Sequence, residues 1–317
     1  MKKHFKKLLL MALMAVMAVG LIACGTDKSD NESTKEEKTS VTITSLDASK
    51  NEIELEVPYN PKRIAILDLA SLDIIDELGV GDRVVGMAST SIDYLEKYSN
   101  DASIKNLGTI KEADLEAVME CEPDIIFIGG RLSKSYDALS EIAPVVYLAT
   151  DTNEGLVNSV SKNAKTIASI FGMEDKVDSL MSDFGARIDT IKKISSGKTA
   201  LVGMTTSGSF NLLGNDGRCS LIGVEAGFNN LTAAGSTSTH GNETSFETVV
   251  KQNPDYIFVM DRDSAISTAG AKNAKEIVEN ELVKTTDAYK NNHIIYLEHS
   301  NVWYTACLLY TSPSPRD

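Results

Sequence analysis

The sequence predicts an α/β fold with two Rossmann-like lobes, whose parallel sheets are joined by a single long α-helix, with a ligand cleft between the lobes. Three observations predict it. A 19-residue segment occurs twice, short apolar runs alternate with amphipathic helical segments in each half, and a helical segment lies between the halves. Alternating strands and helices are typical of parallel sheets that carry helices on both faces.

The repeated segment comprises Ala113–Arg131 and Thr244–Arg262, which share seven identical residues without a gap. Each copy predicts a short helix that ends before a proline, because the residue before proline disfavours helix. An apolar run then predicts a buried parallel strand, and an arginine follows it. Ligands of open α/β sheets bind outside the carboxyl ends of the strands, so Arg131 and Arg262 are expected at the ligand site.

The remaining elements of the first half follow from the same patterns. Val41–Val57 alternates apolar and polar residues around a turn and predicts a hairpin. Strands are predicted at Ile64–Asp68, Val84–Met87 and Pro144–Leu148, and helices at Ser71–Gly79 and Ser133–Ile142. Gly79 is expected to end its helix in the left-handed conformation.

The second half begins after two helical segments, Glu154–Phe171 and Glu174–Ile194. Strands are then predicted at Thr199–Met204 and His293–Leu297, helices at Arg218–Gly227 and near Ala271–Leu282, and a Gly/Ser/Thr-rich loop at Ala234–Asn242. Because a helical link is a stiff spacer, we expect the lobes to rock slightly rather than to close through a large hinge.

The N-terminus indicates export and lipidation. Four lysines precede the apolar run Leu8–Ile22, which is shorter than the ~20 residues that span a bilayer. Leu21–Cys24 resembles a lipobox, so Cys24 is expected to be diacylated and to become the mature N-terminus. The alternatives are an ordinary signal peptide or an anchor helix. The polar segment Gly25–Ser40 predicts a disordered tether on the outer face of the cell membrane.

Composition excludes other classes. The formal net charge of −14 argues against nucleic-acid binding, which needs a basic face. Besides Cys24, the cysteines Cys121, Cys219 and Cys307 are too scattered for a disulfide framework, and Cys121 is expected to be a small buried hydrophobe.

From Cys24 to Ala306 the chain resembles the helical-backbone (class III) substrate-binding lipoproteins of ABC importers, and especially the branch that captures ferric siderophores of the catecholate, enterobactin- or petrobactin-like type. The resemblance is carried by the segments LIAC, PKRIAILD, LDIIDELGVGDRVVG, LEAVMECEPDIIFIGGR, SYDALSEIAPVVYL, NPDYIFVMDR and VWY. It implies a monomer that has no cofactor of its own, binds an iron(III)–siderophore and delivers it to an ABC transporter permease dimer for iron uptake.

Three arginines, Arg131, Arg218 and Arg262, are the candidate siderophore-binding residues. Arg218 follows Gly214–Gly217 and opens a predicted helix on the ligand side. Arginine is always charged, stacks on rings and gives forked hydrogen bonds, which suits an anionic, aromatic tris-catecholate complex. The alternative for each arginine is a surface ion pair, and Asp261 and Asp263 flank Arg262.

Two further residues are candidate iron(III) ligands by the resemblance. His240 lies in the loop STSTHGN, and Tyr304 follows the last predicted strand. In related proteins such residues complete the iron shell when the siderophore offers four donors. Phenolate oxygen suits iron(III), and imidazole is tolerated. The alternatives are a solvated loop residue for His240 and an aromatic side chain packed beside Trp303 for Tyr304.

Glu116 and Glu247 occupy matched positions of the repeat. Thr244 and Glu247 fit a capping box, whereas Ala113 stands where the first copy would need its cap. In the resembled family one glutamate of each lobe meets arginines of the permease, so Glu116 and Glu247 are the expected docking residues.

The chain departs from the family after Ala306. We expect Cys307–Asp317 to be a non-native tail, since its prolines oppose the last helix of the family, and the second lobe to lack that helix. The expected domains are a signal peptide at 1–23, a lipidated tether at 24–40, an N-terminal lobe at 41–152, a backbone helix at 153–172, a C-terminal lobe at 173–306 and the tail at 307–317.

Three other functions compete with siderophore capture. An enzyme is disfavoured because G-x-G-x-x-G, P-loop, H-E-x-x-H and G-x-S-x-G motifs are all missing. A zinc or manganese binder of the same fold would need a close set of His and carboxylate ligands, for which His240 with His299, Glu298 or Asp261 are the candidates, and it would give the arginines no role. A haem or cobalamin receptor stays open, with His240 and Tyr304 as axial groups.

Overall fold

The computed structural model describes residues 38–151, 154–217, 219–233, 238 and 240–305. Cys24, Arg218 and the tail at 307–317 lie outside the described residues. The strands are β1 (Ser40–Leu46), β2 (Glu52–Pro58), β3 (Ile64–Leu67), β4 (Val84–Met87), β5 (Lys105–Asn106), β6 (Ile125–Ile128), β7 (Val145–Tyr147), β8 (Thr199–Thr206), β9 (Ser209–Leu212), β10 (Asn229–Asn230), β11 (Asn242–Glu243), β12 (Tyr256–Asp261) and β13 (Ile294–Tyr296).

The α-helices are α1 (Leu69–Leu78), α2 (Glu96–Ser99), α3 (Leu115–Glu120), α4 (Tyr136–Ser140), α5 (Leu156–Phe171), α6 (Glu174–Ser195), α7 (Ser220–Gly223), α8 (Phe246–Gln252), α9 (Arg262–Ala265), α10 (Ala274–Val278), α11 (Asp287–Lys290) and α12 (Ser300–Thr305). In the part of the chain that the structure describes, no helix combines the length and apolarity that crossing a bilayer requires.

The first half is a parallel sheet in the order β5-β4-β3-β6-β7. All four residues of β3 and of β6 are buried, because helices cover both faces of the sheet. The antiparallel hairpin β1–β2 lies beside β7, where the Ser45 hydroxyl accepts a hydrogen bond from the Tyr147 backbone N–H at 2.9 Å. The parallel sheet and the hairpin predicted for this half are confirmed.

The second sheet has the order β11-β9-β8-β12-β13, with β10 also paired to β8. Strands β8, β12 and β13 are parallel, as predicted, and the short β10, which was not predicted, is parallel to β8. Strand β9 runs antiparallel to both β8 and β11, so this sheet is mixed. The cause is a tight turn at Ser207 and Gly208, both with positive φ, which folds β9 back on β8 as a hairpin.

Two helices carry the chain between the sheets. The first of them, α5, touches the second half with its first turn. The Val157 backbone N–H donates to Glu225 Oε1 at 3.1 Å. Gly172, with φ of +67°, ends α5, and the 22-residue α6 then runs back toward β8. At its end the Ser195 hydroxyl donates to the Ala226 carbonyl at 2.5 Å. Together α5 and α6 form an antiparallel pair that spans both halves.

Helix ends follow local chemistry. Asp68 accepts the Ser71 backbone N–H at 2.9 Å and caps α1, and Gly79 ends that helix at φ +78° as predicted. The apolar faces of α1 and α5 pack on the first sheet and the hairpin, in a cluster that also takes in Leu221 of the second half. This shared core joins the two halves.

Candidate functional site

A cavity of about 400 Å³ lies at the carboxyl ends of β3, β4 and β6. The first half contributes Asp68, the Ser89–Ile92 segment and Arg131, and the second half contributes Ile266 and Tyr304. The cavity therefore lies between the halves, where the topology of parallel sheets places ligands. Its walls combine apolar, hydroxyl, aromatic and guanidinium groups.

Arg131 reaches this cavity through two glycines. Gly129 and Gly130 follow β6, and a β-carbon on Gly129 would lie 2.5 Å from Asp68 Oδ1. A β-carbon on Gly130 would lie 3.2 Å from the Tyr147 hydroxyl oxygen. The close approach of this loop to β3 and β7 positions Arg131 in the cavity wall, where its side chain is exposed. The structure thus places Arg131 in the cavity wall, just after the carboxyl end of β6.

Arg262 lies behind the cavity wall instead of in it. Its Nη1 donates to Asp263 Oδ1 at 3.0 Å and to Thr206 Oγ1 at 3.2 Å, and its guanidinium carbon is 5.9 Å from the centroid of the Tyr304 ring. The side chain is only 21% exposed, and its buried Nε has no hydrogen-bond partner among the described residues. Arg262 therefore combines the ion pair with Asp263 and a position beside Tyr304, which itself lines the cavity.

Tyr304 lies in α12 and is part-buried among Trp303 and the apolar residues of the second sheet. Tyr304 therefore packs against the apolar cluster of the second sheet and also lines the cavity. The phenol is thus held next to Arg262 and across the cleft from Arg131 and Asp68.

His240 lies elsewhere on the second sheet. It is exposed, and its carbonyl oxygen accepts a hydrogen bond from Asn211 Nδ2 at 2.8 Å. It lies two residues before Asn242 of β11, which pairs with Leu212 of β9. Leu212 in turn pairs with Gly203, in the middle of β8. His240 is therefore near the edge of the sheet that β11 forms. His240 is not among the described residues that line the 400 Å³ cavity, so the structure does not bring it together with Tyr304.

Glu116 and Glu247 are exposed in the first turns of α3 and α8. The capping expected from the sequence is wrong by one residue in both copies. Asp114 caps α3 by accepting the Ala117 N–H at 3.0 Å, and Ser245, not Thr244, caps α8. Both glutamates therefore sit at the second helical position, where the helix dipole favours an acid. The pKa of Glu247 is lowered by its own backbone N–H and by the Ser245 hydroxyl.

Asp68 is a cavity residue that the sequence analysis did not select. It caps α1, and its carboxylate also accepts the Ser71 hydroxyl at 2.8 Å. Burial raises its pKa, although the two Ser71 donors act in the opposite direction. The available signal was an aspartate at the end of a predicted strand, directly before a helix.

A second, polar cavity of about 330 Å³ adjoins the first and shares Ser91 with it. Asp261, Ser264, His299 and Ser300 contribute to its wall from the ends of β12 and β13. Across the described part of the chain, no three His, Cys, Asp or Glu side chains are grouped as a metal site. Cys121 and Cys219 are buried and not disulfide-bonded, and the predicted burial of Cys121 is confirmed.

Comparison with known proteins identifies the family. The family model described as "Periplasmic binding protein" matches residues 64–300. The petrobactin-binding protein YclQ of Bacillus subtilis (strain 168) is 37% identical over 309 residues, which are 94% of this chain and 93% of that protein. The ferric-anguibactin-binding protein FatB of Vibrio anguillarum is 26% identical over 262 residues, covering 81% of this chain and 80% of that protein.

Solved structures agree in fold. The crystal structure of YclQ superposes with a TM-score of 0.76 at 36% identity, covering 86% of this chain and 95% of that chain. The periplasmic catecholate-siderophore binding protein VctP of Vibrio cholerae gives a TM-score of 0.75 at 31% identity, covering 84% of this chain and 94% of that chain. The predicted fold of two lobes around a cleft is confirmed, and this chain belongs to the periplasmic binding protein family.

Proposed function

We propose that this protein captures an iron(III)–siderophore of the catecholate type outside the cytoplasm and delivers it to an ABC permease for iron uptake. The observation that carries the proposal is the cavity between the halves, in which Arg131 and the phenol of Tyr304 face one ligand space. Arg262 adds a second guanidinium beside Tyr304. An anionic, aromatic chelate matches this combination of positive charge and ring surface. The names of the relatives YclQ and VctP support the same ligand class.

Within that function, Arg131, Arg218 and Arg262 bind the siderophore. Each charge-assisted hydrogen bond contributes roughly 1.5–3 kcal/mol to the binding free energy. Three of them supply a large part of the ~12 kcal/mol that nanomolar binding requires. Tyr304 lines the cavity and is therefore positioned to give a phenolate ligand to iron(III). For His240 to coordinate the same iron, its side chain would have to approach the cavity that Tyr304 lines.

Glu116 and Glu247 dock the two lobes onto the permease dimer. Their equivalent positions in the repeat and their exposure support this role, because matched acids on matched lobes suit a pseudo-symmetric partner. The protein acts as a monomer, held on the outer face of the cell membrane through a diacylated Cys24. It is a binding protein without catalytic activity, and it has no cofactor of its own.

Ligand titration tests the proposal. Trp303 is the chain's one tryptophan and packs against apolar clusters of both halves, so its fluorescence reports on the cleft. We expect iron(III)–enterobactin or iron(III)–petrobactin to quench it with a Kd below ~1 μM, and haem and cobalamin to bind far more weakly. Tight binding of haem or cobalamin in place of every ferric catecholate would overturn the proposal.

A further inference from the structure

Asp68 places a carboxylate in a cavity that otherwise suits an anion. It lies at the carboxyl end of β3 and lines the same 400 Å³ space as Arg131 and Tyr304. Its Oδ2 is used by the helix, since it accepts both the backbone N–H and the hydroxyl of Ser71. Oδ1 accepts no hydrogen bond from any residue that the structure describes, and it lies against Gly129. One oxygen of Asp68 is therefore structural and the other is left for the ligand space.

The surroundings of Asp68 favour its neutral form. Burial raises the pKa of its carboxyl group more than the two Ser71 donors lower it. Tyr147 faces it from β7, and the pKa of that phenol is raised first by burial and then by the charge of Asp68. Arg131, on the loop after β6, lines the same cavity, as does Tyr304 from the second half, with Arg262 behind it. An anionic ligand entering this space meets attraction from Arg131 and, when Asp68 is ionised, repulsion from its carboxylate.

We propose that Asp68 sets the charge preference of the cavity by taking up one proton from solvent when an anionic iron chelate enters. This inference rests on the proposed function. A second negative charge in a confined space disfavours the charged form of a carboxyl group. The proton stays on the Asp68 carboxyl group while the chelate is bound and returns to solvent on release. Binding of an anionic chelate therefore weakens as the pH rises, through a group of the protein and not only through the ligand.

The variant Asp68→Asn isolates this effect, because asparagine caps helices as well as aspartate does. The matched control is Asp114→Asn, which makes the same change at the exposed cap of α3, outside the cavity. Kd for iron(III)–enterobactin is measured by Trp303 quenching from pH 5.5 to 8.5 for the parent and both variants. Protonation of the chelate itself affects all three proteins equally and cancels in the ratio of their Kd values.

We expect the ratio of the parent Kd to the Asp68→Asn Kd to rise with pH, and to reach about tenfold for each unit by which the ligand raises the pKa of Asp68. Asp114→Asn should follow the parent. Calorimetry in buffers of different ionisation enthalpy should show proton uptake by the parent that is lost in Asp68→Asn. A constant ratio would overturn the inference, because the ionisation of Asp68 would then have no effect on binding. Weaker binding by Asp68→Asn at every pH would also overturn it, because the carboxylate would then accept a hydrogen bond from the ligand directly.

A ligand-free measurement separates this inference from the proposed function. A raised pKa in the folded state means that the folded protein binds the proton more tightly than the unfolded chain. The stability of the parent relative to Asp68→Asn should therefore fall as the pH rises from the unfolded pKa of about 3.9 through the folded pKa, and then level off. If no ferric catecholate binds the parent, the proposed function is refuted. A flat stability difference refutes the inference about Asp68.

Discussion

Asp124 and Asp255, the aspartates of the two Pro-Asp pairs in the repeat, each bind the backbone at the start of the neighbouring central strand. Asp124 Oδ2 accepts the N–H groups of Lys62 and Arg63 at 2.7 and 2.9 Å, just before β3. Asp255 Oδ2 accepts the N–H and the hydroxyl of Thr199 at 2.8 and 2.9 Å, at the first residue of β8. The repeated Pro-Asp pair therefore fixes the register of the two central strands in each half, and with it the position of the strand ends that build the cleft.

Replacing Asp255 should destabilise the protein in a pH-dependent way. Loss of its bonds in Asp255→Ala should lower the free energy of unfolding by about 1–3 kcal/mol at pH 7. The pKa of Asp255 is lowered by the Thr199 backbone N–H, then by the Thr199 hydroxyl, with smaller effects of Lys198 and His293. Its stabilising contribution is thus complete above the unfolded pKa and is lost as the pH falls through the folded pKa.

Urea denaturation of the parent, Asp255→Ala and Asp255→Asn at pH 7 and at pH 3 measures this. The exposed Asp137→Asn serves as the control and should change stability by less than 0.5 kcal/mol. An Asp255→Asn deficit of the same size at both pH values would show that the carboxylate charge does not matter.

Arg131 and Arg262 should differ when replaced by alanine, although both arginines end the repeat. Arg131→Ala should weaken ferric catecholate binding about 10- to 100-fold and leave unfolding unchanged, since the side chain is exposed in the cavity wall. Arg262→Ala should weaken binding and also lower stability by about 1–3 kcal/mol, since it leaves the buried Asp263 without its cation. Lys134→Ala, an exposed cation in the same segment as Arg131, is the control. Equal stability losses in the two arginine variants would contradict the observed pairing.

Two glycine-to-alanine substitutions, one in β8 and one in α6, should change stability in opposite directions. A β-carbon at Gly203 would lie 2.3 Å from the Phe210 ring, so Gly203→Ala should destabilise by about 1–3 kcal/mol through overpacking. Gly185 lies within α6 with nothing within 4 Å of its added β-carbon, and Gly185→Ala should stabilise by about 0.5–1 kcal/mol. Thermal unfolding of the two single variants measures these changes in stability. The double variant Gly203→Ala/Phe210→Leu then tests whether the Phe210 ring is the source of the strain. If Phe210→Leu relieves none of the loss, the strain lies outside the Phe210 contact.

The strands that build the cleft could be predicted because they are buried on both faces and leave a continuous apolar signal, as in Ile64–Leu67 and Ile125–Ile128. Strand β9 was missed although Ser209–Leu212 alternates and follows Ser207–Gly208, a two-residue hairpin signal. The ion pair of Arg262 could be predicted from its sequence neighbour Asp263. Its position behind Tyr304 could not be predicted, because that position depends on how α12 packs. The location of His240 follows from the pairing of β9 with β11, and β11 is a two-residue strand with no strong pattern in the sequence.

Neutralising Glu116 and Glu247 should separate capture from delivery. Glutamine keeps the size and hydrogen-bonding capacity of each side chain, so Glu116→Gln and Glu247→Gln should leave both helices folded and weaken only the interaction with the helix dipole. Because both residues are exposed and neither is a cavity residue, ferric catecholate affinity should stay within twofold of the parent. Iron uptake by cells that carry the cognate permease should fall in each single variant and be abolished in the double variant, whereas Glu276→Gln, an exposed acid on α10, should transport normally. Normal uptake by the double variant would assign both glutamates to helix stability alone, since each already has a local reason to occupy the first turn of its helix.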